Sequence, residues 1–499
     1  RERRGAGTHL PADGGPGASR GESGRHSEPA EFRRVPPVGG RDGPTGACLL
    51  SAGTGVAAGR GRGVDDRRRG DGCGLLAVAA AHILIESNKL PNNQRPKAIV
   101  GSDSRASGEF LEAAVVAGLT SAGIDVYRVG VLPTPAIAHL VAETGADLGV
   151  MISASHNPMP DNGIKFFSKG GGKLDDVLEA AIEARLNEPW ERPTGRNVGR
   201  VIEDKGAADR YLDYLLASVT EKLNGLKVVV DCANGAASFV APEALRRAGA
   251  EVIAIANNPD GWNINDGVGS THLEFLKEAV KKNGADLGIA HDGDADRCLA
   301  VDADGNEVDG DQIIAILASG LNARGELAKS TVVATVMSNL GFFKAMESAG
   351  INVEVTGVGD RYVLEKMLEA DLTLGGEQSG HVIYRKFANT GDGLLTALTL
   401  LQEVKRSGKS LKDAAAIMQK FPQVLINVKD VAKDKLSSSK TIADEVAKSE
   451  AELAGAGRVL LRASGTEALV RVMVEASTDT LASGVATHLA EVVKRELGS

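Results

Sequence analysis

At 499 residues with 57 basic and 66 acidic side chains, the chain carries a net charge of −9, which argues against a general binder of nucleic acid or of anionic membranes. Its 42% apolar and 25% charged residues suit a globular protein, with length for roughly three or four domains. The longest apolar run, Leu75–Ile85, has 11 residues and includes His82, too short to span a bilayer; Cys48, Cys73, Cys232 and Cys298 form no CxxC pair, which points to a reducing, cytoplasmic setting and away from a disulfide scaffold or zinc site.

Residues 1–74 stand apart. They hold 19 of the 61 glycines and 13 arginines but no lysine, and their only aromatic is Phe32. They carry +4, leaving −13 for the remainder, and no window has helical or strand periodicity. Such a composition cannot offset the entropy of ordering. Three origins compete: a disordered basic tail, a targeting peptide, and translation of GC-rich DNA upstream of or out of frame with the gene. Nine acidic residues and the lack of an apolar core segment oppose the second, and arginine without lysine favours the third. The segment is expected to be disordered or non-native.

From Leu75 the chain alternates strands and helices. Lys97–Asp103 is a strand, Ala106–Leu119 a helix, Asp125–Leu132 a strand, and Pro133 opens a helix at its first position. Leu148–Ser153 is a third strand, running into Ser155-His156-Asn157. A second unit repeats the order with strands at Lys227–Asp231, Glu251–Ala256 and Leu287–Ala290, ending at His291-Asp292-Gly293-Asp294-Ala295-Asp296-Arg297. A third has Thr331–Val336, Asn352–Thr356 and Leu372–Leu374, ending at Gly376-Glu377-Gln378-Ser379-Gly380-His381. Each unit thus puts a polar loop after its third strand, at the end of a parallel sheet where ligands bind. The last ~80 residues differ, with strands near Val424–Val428 and Arg458–Arg462, a charged helix between them and a terminal helix. The fold class is α/β: three similar domains with mixed or parallel sheets and a smaller α+β domain around a central cleft. The domains are placed at 75–205, 206–308, 309–421 and 422–499, behind the tail 1–74.

The loops carry the chemistry. Asp292, Asp294 and Asp296 put three carboxylates in five residues, which repel unless a cation sits among them, and hard oxygen ligands suit Mg²⁺. The alternative is a solvated acidic turn; an EF-hand is rejected because a strand precedes and Leu299-Ala300-Val301 follows. Ser155, at a strand end, can carry a phosphoryl group if a metal lies near, or be an ordinary turn residue. Lys165, in the run from Ser153 to Phe167, offers a cation for phosphate. Glu377, Ser379 and His381 alternate, so in an extended segment they would face one side and offer partners to sugar hydroxyls or an amine; a polar turn is the other reading. Arg462-Ala463-Ser464-Gly465-Thr466-Glu467 with Arg471 has the composition of a phosphate cradle, or of a plain turn.

Taken together, SASHNP, DGDADR, GEQSGH and RASGTE, in that order, resemble the signature set of the α-D-phosphohexomutases over about 85% of the chain, from Leu75 on. GGEQSGH followed by Asn389-Thr390-Gly391-Asp392-Gly393 is most similar to the bacterial phosphoglucosamine mutase branch, where phosphomannomutase/phosphoglucomutase members more often have Met in place of Gln378. The resemblance implies an isomerase interconverting glucosamine 6-phosphate and glucosamine 1-phosphate through a phosphoserine and a 1,6-bisphosphate, in UDP-N-acetylglucosamine synthesis, a peptidoglycan precursor. It implies Ser155 as the phosphoryl carrier, with Asp292, Asp294 and Asp296 holding one Mg²⁺ against it. His156, Lys165 and Arg297 would line the transfer site, and Asp103 and Arg105 would support it. Glu377, Ser379 and His381 would grip the sugar; Arg462, Ser464, Gly465, Thr466 and Arg471 would hold the other phosphate. Glucosamine or glucose 1,6-bisphosphate would serve as intermediate or primer. The implied partner is a small phosphosugar, with a homodimer open; no nucleic acid and no membrane are expected.

Three departures stand out. Ala463 and Ala468 take places where the family usually has proline. The family's opening strand and its Gly-Thr-Asp-Gly-x-Arg-Gly loop are missing; residues 57–66 read AAGRGRGVDD instead, so the first sheet is expected to lack its opening strand. The alternatives are therefore phosphomannomutase or phosphoglucomutase activity, or a catalytically impaired sugar-phosphate-binding remnant.

Overall fold

The computed structural model describes residues 66–88, 95–174, 176–186, 188–464 and 469–498, all within the body formed by 47–499. The first unit comprises α1 (Asp66–Asn88), β1 (Lys97–Ser102), α2 (Ser107–Ser121), β2 (Asp125–Val131), α3 (Thr134–Thr144), β3 (Leu148–Ile152), β4 (Ile164–Ser168), α4 (Asp176–Ala184) and β5 (Val201–Glu203). The second has α5 (Ala207–Ala217), β6 (Lys227–Asp231), α6 (Ala237–Ala248), β7 (Glu251–Ile255), α7 (Glu274–Asn283), β8 (Leu287–Ala290), β9 (Leu299–Asp302) and β10 (Glu307–Val308). The third has α8 (Gly310–Ala323), β11 (Thr331–Thr335), α9 (Leu340–Ser348), β12 (Asn352–Thr356), α10 (Asp360–Glu369), β13 (Leu374–Gly376), β14 (Val382–Tyr384), α11 (Gly393–Ser407) and α12 (Leu411–Ala415). The last has β15 (Gln423–Lys429), α13 (Lys440–Glu452), β16 (Arg458–Ala463), β17 (Leu469–Glu475) and α14 (Asp479–Leu497).

The sheets run β4-β3-β1-β2-β5, β10-β9-β8-β6-β7, β12-β11-β13-β14 and β15-β17-β16. In the first three, the opening strand of the sheet is central and pairs in parallel with the second and third, while the fourth returns antiparallel beside the third. The central strands are continuous apolar runs because both faces are covered. Val228 and Val230 of β6, Val332 and Ala334 of β11, and Ile99 of β1 enter one core common to all three units. Their alternates face separate cores: Ala98 and Val100 meet α1 and α2, Val229 meets α7, and Val333 meets α10. The outer β12 (NVEVT) is largely exposed, which its edge position permits.

Several expectations need correcting. Helix α1 reaches back to Asp66, into the stretch assigned to the tail, and Cys73 is buried in the first unit's core; residues 1–65 lie outside the described residues. The approach is close: a Cβ at Gly118 on α2 would lie 2.5 Å from the Gly74 carbonyl oxygen. Among the described residues no strand precedes α1. Pro133 is the N-cap of α3, with extended ψ of 149°, and the proline inside the first turn is Pro135. The third strand of the third unit begins at Leu374, not Leu372. The central strand of the last sheet, β17, has no counterpart in the sequence reading; its valines alternate around Arg471.

Candidate active site

Each of the first three sheets sends one loop from its third strand to its antiparallel fourth, and these loops meet. The first carries Ser155 at φ 50°, a left-handed backbone that costs a non-glycine residue energy and persists only where its surroundings enforce it. The enforcement is visible. The Ser155 N–H donates to Ser153 Oγ (2.9 Å), whose hydroxyl donates to Asp103 Oδ2 (2.6 Å). Arg105, fully buried, pairs with Asp103 (2.9 Å) and spends its remaining donors on the carbonyls of Pro158 (2.7 Å), Ser155 (3.1 Å) and Asn157 (2.9 Å). From the second unit, Asn265 Nδ2 donates to the same carbonyls of Ser155 (2.8 Å) and Asn157 (3.0 Å). Arg105 therefore stands behind the loop and holds it, with its guanidinium turned to backbone and not to the cleft. A buried ion pair whose guanidinium also serves three carbonyls fixes geometry more than it adds stability.

So held, Ser155 Oγ donates to Asp292 Oδ2 at 2.5 Å. Asp292, Asp294 and Asp296 are buried, with one oxygen from each lying within 4.8 Å of the others. The two loops touch through backbone: a Cβ at Gly293 would lie 2.6 Å from the Ser155 carbonyl oxygen. Burial, and then repulsion from Asp296 and Asp294, pushes Asp292 up to about 7. Burial opposes the charge on Asp296 too, but Lys165 and His381 hold it well below the usual carboxylate range. Asp294 Oδ1 and Asp296 Oδ1 are buried without a hydrogen-bond partner. Three carboxylates and a serine oxygen, two of them with unsatisfied lone pairs, fit a hard divalent cation such as Mg²⁺.

Lys165 lies on β4, not in the loop, and its Nζ reaches Asp294 Oδ2 (2.6 Å) and Asp296 Oδ2 (3.5 Å). The Thr134 hydroxyl donates to the same Asp294 oxygen, and its N–H to the Asp294 carbonyl at 3.0 Å, so α3 starts on the carboxylate loop. Burial and then Arg297 lower His156 to about 4, leaving a neutral imidazole on the cleft wall. Arg297 lines the same wall, 4.0 Å from Asp292 Oδ2.

Residues 377–381 form a turn and not an extended segment. Glu377 N–H donates to the His381 carbonyl, and Gly380, at φ 91°, returns its N–H to the Glu377 carbonyl, both at 3.0 Å. Glu377, Ser379 and His381 all line the cleft, as does Gln378, so a turn and not alternation along an extended segment brings them there. Cys298 N–H donates to the Gly380 carbonyl at 2.9 Å, tying this turn to the carboxylate loop. In the last unit, Arg462 and Arg471 stand directly opposite on β16 and β17. Like charges in that position destabilise a sheet. Both arginines line the cleft, each with its Nε buried and unpartnered, and burial followed by Arg471 lowers the Arg462 pKa. An anion between them would relieve both penalties. Ser464 is buried and its carbonyl accepts from Lys433 Nζ at 2.6 Å; Gly465 and Thr466 lie outside the described residues.

The cleft joining these groups holds about 620 Å³ and is lined from all four units. Asn265, Thr134, Asp360 and Lys173 escaped the sequence reading. None sits in a motif, and each acts across more than 100 residues of chain.

A cleft of this build defines a class that moves an anionic group between a hydroxyl and a ligand gripped at its far end. Comparison with known proteins agrees. Models of the phosphoglucomutase/phosphomannomutase alpha/beta/alpha domains I, II and III match residues 74–192, 209–305 and 309–421, and that of the C-terminal domain matches 425–492. The chain belongs to the phosphoglucomutase/phosphomannomutase family. It is 60% identical over 428 residues to phosphoglucosamine mutase of Streptomyces griseus, covering 85% of this chain and 94% of that protein. Identity to the phosphoglucosamine mutase of Thermobifida fusca is 59% over 422 residues, with the same coverage. Among solved structures, a phosphoglucomutase/phosphomannomutase family protein from Burkholderia thailandensis superposes with TM-score 0.74 at 22% identity, over 89% of this chain and 98% of that one. At that identity the likeness speaks for the fold.

Proposed function

We infer that the chain is a phosphoglucosamine mutase, interconverting glucosamine 6-phosphate and glucosamine 1-phosphate. One observation carries the chemistry: a strained, clamped serine hydroxyl 2.5 Å from a buried carboxylate trio, in one cleft with an opposed arginine pair. The substrate rests on the identity of about 60% to curated phosphoglucosamine mutases. In this reading Ser155 carries the phosphoryl group. Its P–Oγ bond breaks as a bond forms to a sugar hydroxyl, giving a 1,6-bisphosphate; the sugar turns over in the cleft, and the other phosphoryl group returns to Oγ. Asp292, Asp294, Asp296 and Ser155 would hold Mg²⁺, which when bound neutralises phosphoryl charge. Lys165 and Arg297 add fixed positive charge around the reacting group, where a dianion would otherwise repel its nucleophile. Glu377, Ser379 and His381 orient the ring, and Arg462 and Arg471 grip the idle phosphate. Closure of the four units around the ring keeps water from the phosphoserine.

The domain division given above, a homodimer and a cytoplasmic setting belong to the same reading; no described helix is long and apolar enough to cross a membrane. The remnant alternative draws on one observation, that the family match begins at residue 74, after the place of the opening loop. Assays on glucosamine, glucose and mannose 6-phosphates decide among these. Turnover of the glucosamine phosphate with at least about tenfold preference in kcat/KM is expected. Binding of all three without turnover would establish the remnant.

A further inference from the structure

Along the cleft wall beside the turn of residues 377–381, a chain of charges starts at half-buried Lys173 in the first unit, crosses to buried residues of the third and ends in the second. Lys173 follows β4 on a tight return. It bridges back to Phe167, and Gly171, at φ 80°, packs so closely on α3 that a Cβ there would overlap the Ala138 carbonyl. The Lys173 ammonium pairs with Asp360 Oδ2. Asp360 opens α10, where the helix dipole favours a carboxylate, and the preceding Gly359 gives its N–H to Glu377 Oε1 at 2.9 Å. The same Asp360 oxygen lies 3.0 Å from His381 Nε2, while His381 Nδ1 faces Asp296 Oδ1 at 3.7 Å. Gly391 closes on the same nitrogen: its N–H lies 3.2 Å from Nε2, and a Cβ there would overlap the ring. Asp360 and His381 keep only 6% of their side-chain surface exposed. A pair on the surface would contribute little, but in this one the loss of either partner strands a buried charge.

We propose that Lys173 and Asp360 are positioning residues that form a clasp between the first and third units and set the imidazole of His381 within the cleft. Lys173 does not touch the ring. It acts through Asp360, whose Oδ2 it shares with Nε2, so without the ammonium that oxygen is fixed from the third unit's side alone. The role in turnover rests on the functional reading above. The clasp itself rests on contacts alone.

Lys173→Met, which keeps the stem and removes the charge, tests it together with Asp360→Asn and the double variant. Lys173→Met is expected to lower kcat by about tenfold or more while KM for the hexose phosphate moves less than about threefold, because His381 aligns the sugar ring for reaction while the arginine pair supplies most of the ground-state grip. The double variant should be no worse than the poorer single, as for residues acting as a unit. Hydrogen exchange on the full chain gives an assay independent of turnover: the amides of 359–362 and 377–381 should exchange faster in Lys173→Met, with the β6 and β8 amides unchanged. A kcat within about twofold of the parent, or losses that multiply in the double variant, would overturn the positioning role. Unchanged exchange in both segments would overturn the clasp. If the parent chain turns over no hexose phosphate, the functional reading falls and the exchange result alone decides the clasp.

Discussion

The cleft has two ends built on different plans. At the serine end, groups from the first and second units are nearly dry and over-determined: Arg105 and Asn265 converge on the same two carbonyls, and the carboxylate trio is buried. At the arginine end, β15, β16 and β17 form a small antiparallel sheet in which every residue of β16 is only partly buried. That sheet meets the rest through few polar links. Asn339 takes the N–H and carbonyl of Phe421 at 2.9 Å each, and Glu475 joins Arg458 (2.6 Å) to the first N–H of α9 at Leu340 (2.9 Å). The contrast fits what each end does in the proposed reaction. Breaking and forming P–O bonds demands sub-ångström placement, whereas a grip on the idle phosphate must let go when the sugar turns.

Four substitutions sharpen or break this comparison. The largest effect belongs to Ser155→Ala, which removes the proposed phosphoryl carrier; steady-state turnover should fall by at least about a thousandfold. Intact mass should show no phosphate on the variant, and retained turnover would move the chemistry elsewhere. Asn265→Ala comes next. It drops one of two clamps, so kcat should fall about tenfold to a hundredfold with KM little changed; a loss expressed only in KM would mean that the serine end is no stiffer than the other. Arg471→Met should do the reverse, raising KM about tenfold. Since it also removes a like-charge pair worth about 0.5 kcal/mol, its thermal midpoint should hold or rise slightly. A variant that binds normally but unfolds early would reassign this pair to structure. The smallest effect is that of Glu475→Gln, which weakens the link to α9 by about 1–2 kcal/mol. It should appear as faster limited proteolysis near 421–423 with kcat nearly intact; no change there would place the joint elsewhere.

What the sequence made legible followed from burial. β1, β6 and β11 are apolar because both faces are covered, and the loops after each third strand stand out because they keep polar side chains although they too are largely buried. What it hid followed from proximity in space. Nothing local distinguishes Asn265 in a run of asparagines and glycines; it matters because the chain returns it to Ser155, 110 residues away. The edge strands β5 and β10, of 3 and 2 residues, are too short to show a period. β17 keeps an intact alternation, Val470, Val472 and Val474 on one face and Arg471 on the other, so its omission from the sequence reading has no physical excuse. The tail boundary at 74 rests on composition, yet α1 begins at Asp66 and from Leu76 to Ala81 is buried all round, so its ordered part is anchored by the apolar run that composition had already marked.

The twist in the main chain at residue 155 has an evolutionary corollary. Threonine offers the same oxygen nucleophile, but a branched Cβ is poorly tolerated at φ 50°. The substitution that looks mildest on paper would oblige the loop to unwind and surrender its clamps. If Ser155 carries the phosphoryl group as proposed, backbone shape selects serine over threonine there as much as reactivity does.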